Sequence, residues 1–382
     1  MARPPQLLDL IDALVGTPSV SSFEAGLDRG NRAVINLLAT WLEDLGFAVE
    51  IQDLGTDPAK ANLIATLGTG DDGLVLAGHT DTVPCDPALW QRDPFRLHQA
   101  GGRLYGLGTA DMKAFLALAI EAVRDIRAAD LKKPLVLLAT ADEESGMLGA
   151  RRLAEAGRRL GRHCIVGEPT GLKPIRQHKG IFDERIRLIG RSGHSSDPAL
   201  GNSALEGMHA VIGALLTWRH ELQQRHRDPA FAVPVPTLNL GHIHGGDNPN
   251  RICGACELTL DLRPLPGMDT AALRAELHQR VRAAVAPRGL KVEFEAIFDG
   301  LPPMATDADA HIVRLAEQLA GSPAGAAAFG TEGPYYNALG SETVILGPGD
   351  IAQAHQPDEY LALDRLTPTV ALLREAIKTV CG

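Results

Sequence analysis

The sequence predicts an α/β fold into which a second, smaller α+β domain is inserted. Short apolar runs, Leu74–Ala77, Leu135–Thr140 and Cys164–Gly167, alternate with helical patterns at Asn31–Leu45 and Met112–Arg124. Runs of that length mark strands buried on both faces of a sheet. Between about residues 180 and 298 the order changes to strand, helix, strand, strand, helix, strand. That βαββαβ order suggests a four-stranded, ferredoxin-like sheet with helices on one face. At 382 residues the chain also exceeds what one core usually holds.

Taken in order, the chain opens with an amphipathic helix entered through Pro4 and Pro5, with Asp9 and Asp12 inside its apolar pattern. Those acids argue against a secretory leader, and no run of ~18 apolar residues is present to span a bilayer. A cytoplasmic protein is expected. The Asn31–Leu45 helix stops at Gly46, and Phe47–Leu54 and Ala61–Leu67 read as strands. After Leu74–Ala77, Gly78 lets the backbone break away into His79 and Asp81. Residues 90–110 are irregular and end at Asp111, which the pattern places at the N-cap of the next helix. Pro134 opens a strand that runs into Asp142-Glu143-Glu144, the Cys164 strand runs into Glu168, and the Thr343 strand is followed by a loop carrying His355. The inserted elements are Phe182–Gly190, Ser203–Gln224, Thr237–His242, Arg251–Leu262, Thr270–Val285 and Lys291–Phe298. Residues 1–179 with 299–382 then form a larger, discontinuous domain, and 180–298 a unit able to hinge over a cleft.

Composition narrows the class of function. Hydrophobic content of 45% and charged content of 22% are ordinary for a globular protein. Aromatic residues at 4% and a formal charge of −10 argue against a nucleic-acid partner. The five cysteines are an odd count with no second pair to complete a zinc site around Cys253 and Cys256. Those two lie in an alternating segment that would point them to opposite faces, so they read as packed thiols.

The recurrence of one pattern is the chemical signal. In open α/β sheets, sites collect beyond the carboxyl ends of the strands. Here His79, the acidic turn, Glu168 and His355 each follow an apolar strand, and Asp111 begins a helix entering at the same end. Two imidazoles with several carboxylates, and no thiolate, suit Zn²⁺, Co²⁺ or Mn²⁺. A carboxylate bridging two cations, each completed by one carboxylate and one His, describes a two-metal hydrolase. Asp81 is placed to accept a hydrogen bond from the second ring nitrogen of His79. Glu143 and Glu144 are adjacent, so one as ligand and its neighbour as general base is the economical division. Cations depress a buried acid's pKa while desolvation raises it, and the sequence leaves that balance open.

These stretches, Gly-His-Thr-Asp-Thr-Val-Pro, Tyr-Gly-Leu-Gly-Thr-Ala-Asp-Met-Lys, Ala-Thr-Ala-Asp-Glu-Glu, Gly-Glu-Pro-Thr, Arg-Ser-Gly-His-Ser-Ser and Ala-His-Gln-Pro-Asp-Glu-Tyr, together resemble the M20 metallopeptidase family. The resemblance implies a mixed-sheet catalytic domain with two divalent ions, Zn²⁺ or Co²⁺. His79 and Glu168 would bind one ion and Glu144 and His355 the other, with Asp111 bridging. Glu143 would be the general base and Asp81 the partner of His79. The inserted domain would be a lid that also forms a homodimer, lending His194 to the partner subunit's site to stabilise an oxyanion. Arg251 would grip a substrate carboxylate, and Glu332 a side-chain ammonium. The implied substrate is a small N-acyl amino acid, foremost N2-acetyl-L-ornithine, cleaved to ornithine and acetate in arginine biosynthesis. Desuccinylase, aminoacylase and dipeptidase activities are the rivals within the family, and a catalytically silent binding protein is the rival outside enzymes.

Overall fold

The computed structural model describes residues 4–24, 26–55 and 57–382. The chain divides into two compact units, one of residues 1–176, 306–325 and 331–382, the other of residues 177–305 and 326–330. The second therefore extends a few residues beyond each end of the expected 180–298.

The first unit is built on a mixed sheet. Six of its strands lie side by side in the order Ala48–Asp53, Ala61–Leu67, Leu135–Thr140, Leu74–His79, His163–Val166 and Glu342–Ile345. The first two junctions are antiparallel and the other three parallel. Every residue of Leu74–His79 and of Leu135–Thr140 is buried, as expected for strands covered on both faces. Leu74, Leu76, Leu135 and Leu137 join one core with helices Leu7–Val15, Arg32–Asp44, Lys113–Val123, His311–Ala320 and Leu366–Cys381. The Lys113–Val123 helix is buried all round except at Glu121, which matches its apolar composition on every side. Because four neighbouring strands run parallel, their carboxyl ends share one edge, and His79, the 141–146 turn and Glu168 all emerge there.

One expectation fails at that edge. The helix starts at Lys113, with Met112 in the N-cap position and no side-chain cap hydrogen bond. Asp111 does not cap the helix, because its carboxylate is engaged by His79 instead.

The second unit is the predicted βαββαβ. Strands Thr237–Gly245, Ala255–Arg263, Ile181–Ile189 and Lys291–Leu301 pair in that order, each antiparallel to its neighbour. Phe182, Ile186 and Leu188 alternate inward with Leu258, Leu260 and Leu262. They pack against Met208, Val211, Leu215 and Trp218 of helix Ala204–Arg225 and Leu277 and Val281 of helix Thr270–Val285. Ser203 and Asp269 cap these helices by accepting from the N–H groups of Glu206 and Ala271. The third strand begins at Ala255 rather than Arg251, so Cys253 precedes it and Cys256 lies within it. Both are buried, and all five cysteines are free thiols. Among the described residues no helix is long and apolar enough to cross a membrane.

The join between strand and site tolerates little volume. A Cβ added at Gly167, the residue before Glu168, would stand 2.1 Å from Cγ of Phe115. Gly167→Ala should therefore destabilise the protein by about 1–3 kcal/mol, as overpacking does, read as a lower urea midpoint. Combining it with Phe115→Ala should show favourable coupling in a double-mutant cycle. Simple additivity would mean that the clash is relieved elsewhere.

Candidate metal centre

His79 is the last residue of its strand and is wholly buried. Its Nδ1 lies 3.0 Å from the backbone oxygen of Asp81 and 3.6 Å from that residue's carboxylate. Asp81 thus faces the second ring nitrogen of His79 with both its main-chain carbonyl and its carboxylate. Such a bond leaves Nε2 free to meet a cation. Nε2 faces Asp111 Oδ1 at 3.1 Å and Glu168 Oε1 at 3.9 Å. The other oxygen of Asp111, Oδ2, is 3.6 Å from Nε2 of His355, which in turn is 2.9 Å from Glu144 Oε1. One carboxylate therefore presents a different oxygen to each of two imidazoles, and a further acid stands beside each imidazole. Ligand atoms of His79, Glu143 and Glu168 lie within 4.8 Å of one another, as do those of His79, Asp111 and Glu144.

The Asp81 carboxylate has another task. It accepts the N–H groups of Glu143 at 3.2 Å and Glu144 at 3.1 Å, and the hydroxyl of Ser21 at 2.5 Å. It thereby orients the whole acidic turn. From the other side Lys60 holds Asp142 at 2.8 Å and Asp28 at 2.6 Å. Asp142 has a left-handed backbone, φ 59°, a conformation that short polar residues accept more readily than most. Lys60 went unremarked in the sequence; its only signal is a cation placed directly before an apolar strand. Glu359 was likewise missed. It is buried, and its Oε1 accepts the N–H groups of Ala110 at 2.7 Å and Asp111 at 3.1 Å.

The electrostatics follow from this crowding. Burial raises Glu143 and Glu168 well above the usual carboxylate range, reinforced by the charge of Glu168 on Glu143 and of Asp111 on Glu168. Glu144 is also raised by burial and by Asp111. Burial alone would lower His79, yet the acids Asp111, Asp81 and Glu168 hold it well above its ordinary value. The Glu144 contact lifts His355 to about 9. Repelling acids in a low-dielectric site are what a divalent cation relieves. The buried Oε1 of Glu168, which has no hydrogen-bond partner among the described residues, is a donor suited to that role. The residues present fit a pair of divalent ions.

Three expected residues remain. Glu332 belongs to the first unit and is 1% exposed. Its Oε2 accepts from Thr140 Oγ1 and from the Tyr336 hydroxyl, both at 2.8 Å, while its Oε1 is buried without a partner among the described residues. Burial lifts it to about 7, against the pull of His79. His194 and Arg251 belong to the second unit, where the two are brought together by an isolated antiparallel bridge. His194 Nδ1 is 2.7 Å from Ser196 Oγ, and Arg251 pairs with Asp247 at 2.6 Å. Ser195, Asp247 and Arg251 border a cavity of about 860 Å³ within that unit, in the size range of small-molecule sites.

The chain is similar to several known proteins. The chain is 50% identical over 377 residues to the acetylornithine deacetylase of Edwardsiella ictaluri (strain 93-146), spanning 99% of this chain and 98% of that protein. It is 46% identical over 377 residues to that of Aliivibrio fischeri (strain MJ11), spanning 99% of each. Its fold matches aminopeptidase PepT from Bacillus cereus ATCC 10987 with a TM-score of 0.76 at 22% identity, over 98% of both chains. It also matches the Bacillus subtilis YXEP protein, described as a dinuclear metal binding peptidase from the M20 family, with a TM-score of 0.68 at 18% identity, over 98% of this chain and 97% of that one. The model of peptidase family M20/M25/M40 matches residues 75–379, and the chain belongs to that family.

Proposed function

We propose that this protein hydrolyses N2-acetyl-L-ornithine to L-ornithine and acetate, a step of arginine biosynthesis, as a cytoplasmic homodimer using two Zn²⁺ or Co²⁺ ions. The observation that carries the metal chemistry is Asp111, whose two oxygens face His79 and His355 separately. The substrate reading is supported by the relatives named acetylornithine deacetylase at 46–50% identity. A reducing compartment is in keeping with five free thiols.

Bound ions would supply Lewis acidity for the amide carbonyl and make water a better acid near neutral pH. His79 and Glu168 would hold one ion, Glu144 and His355 the other, and Asp111 both. Glu143 takes the proton of the attacking water and returns it to the departing nitrogen as the C–N bond breaks. Asp81 keeps Glu143 and Glu144 pointing apart by gripping their successive N–H groups. Arg251 is suited to the substrate carboxylate and the unpartnered Oε1 of Glu332 to its ammonium. His194 donates to the oxyanion from the partner subunit.

Purified protein should release ornithine from acetylornithine, stop after chelation and recover with Zn²⁺ or Co²⁺. Glu332→Gln should lower kcat/KM for acetylornithine more than for uncharged acetyl amino acids. Full turnover in verified metal-free protein would sink the two-metal mechanism, and equal losses on both substrates would remove Glu332 from ammonium recognition.

The adjacent acids separate by metal analysis. Glu143→Ala should retain both ions and lose about 10²–10⁴-fold in turnover, as general-base removal does, whereas Glu144→Ala should also lose metal. The reverse pattern means that the two roles are exchanged.

Subunit sharing is tested by co-expressing Glu143→Ala and His194→Ala chains. In a mixed dimer one site combines an intact Glu143 with a His194 from the other chain, so roughly a quarter of wild-type activity should return under random pairing. Verified mixed dimers with no recovery would exclude a shared His194.

A further inference from the structure

The two halves of the candidate centre are supported in different ways. His79 ends a fully buried central strand, paired residue by residue with Leu135–Thr140 up to the His79–Thr140 pair. Glu168 follows the next strand after a single glycine. The sheet therefore places the first half. His355 has no such support: it sits in a loop with a left-handed backbone, φ 61°, and its side chain is 52% exposed. Its ring nitrogen Nε2 stands 3.6 Å from Asp111 Oδ2 and 2.9 Å from Glu144 Oε1.

What joins the loops of Asp111 and His355 is Glu359, four residues beyond His355. Its carboxylate oxygen Oε1 accepts from the N–H groups of Ala110 and Asp111, at 2.7 and 3.1 Å. Its main-chain carbonyl accepts from the N–H of Gly106, at 3.1 Å. The residue is 1% exposed, so water cannot replace those bonds. Next to it, the Asp358 carboxylate accepts the N–H of Gln91 at 3.0 Å, pinning the same loop at a second point.

We infer that Glu359 is a positioning residue for the second ion, holding the bridging Asp111 and the His355 loop in register through main-chain hydrogen bonds. This rests on the two-ion reading. Glu359 touches neither substrate nor ion; it sets where Asp111 Oδ2 and His355 Nε2 stand relative to each other. Its loss frees the His355 loop, while His79 and Glu168, placed by the sheet, keep their positions and Asp111 keeps its contact with His79.

The test is Co²⁺ titration of metal-free protein, followed calorimetrically and by visible absorption, so that no turnover is needed. Wild-type protein should bind two ions. Glu359→Ala should weaken the second by at least about tenfold, equivalent to 1.4 kcal/mol, and the first by less than about threefold. Glu359→Gln keeps an oxygen able to accept both N–H groups and should fall between wild type and Glu359→Ala at the second ion only. Two ions bound by Glu359→Ala with wild-type affinities would overturn the inference. So would equal weakening of both ions in Glu359→Gln, which also decides the matter should Glu359→Ala fail to fold. A wild-type chain that binds fewer than two ions would overturn the two-ion reading, and this inference with it.

Discussion

The contact on which the centre depends is that of Asp111 with two imidazoles, Oδ1 toward His79 and Oδ2 toward His355. A carboxylate in that position divides its charge between two places, and each place has a second acid, Glu168 on one side and Glu144 on the other. Packing these groups together is costly without compensation, since each is desolvated and repels its neighbours. The upward displacement of Glu143, Glu144 and Glu168 expresses that cost. An arrangement of this kind is built to receive positive charge, which accounts for a cluster that stability alone would disfavour.

Placement of the cluster comes from topology. Parallel strands deliver their carboxyl ends to one edge, so residues distant in sequence arrive together with no long connection. The acidic turn needs more than the strand that leads to it. Asp81 draws two successive N–H groups onto one carboxylate, and Lys60 neutralises Asp142 from the opposite side. Glu143 and Glu144 thereby diverge, with Glu143 beside Glu168 and Glu144 beside His355. Neighbouring residues of the same type can then take different chemical tasks because the backbone between them is fixed.

The second unit solves a different problem with local rules. Its strands alternate apolar and polar residues, so one face buries Phe182, Ile186 and Leu188 while Arg185 pairs outward with Glu295. Capped helices cover the apolar face. His194 and Arg251 come from loops 57 positions apart in the numbering, yet a main-chain bridge makes them neighbours.

Much of this was legible beforehand because it depends on patterns local in the chain. Apolar run length marked the buried strands, the change of element order marked the inserted unit, and a polar residue after each strand marked His79, the acidic turn, Glu168 and His355. The helix Thr270–Val285 and the strand Ala61–Leu67 lie where periodicity put them. Three matters were decided only by the tertiary structure. Asp111 fits the N-cap pattern by sequence, but two distant imidazoles compete for its carboxylate and the helix begins without it. His79 Nδ1 meets the main-chain oxygen of Asp81 in addition to its carboxylate, a contact that no residue pattern encodes. Lys60 and Glu359 act across 82 and 248 positions, through Asp142 and the Asp111 N–H. Spacing in sequence carries no record of such contacts, because they exist only once the sheet has brought its loops together.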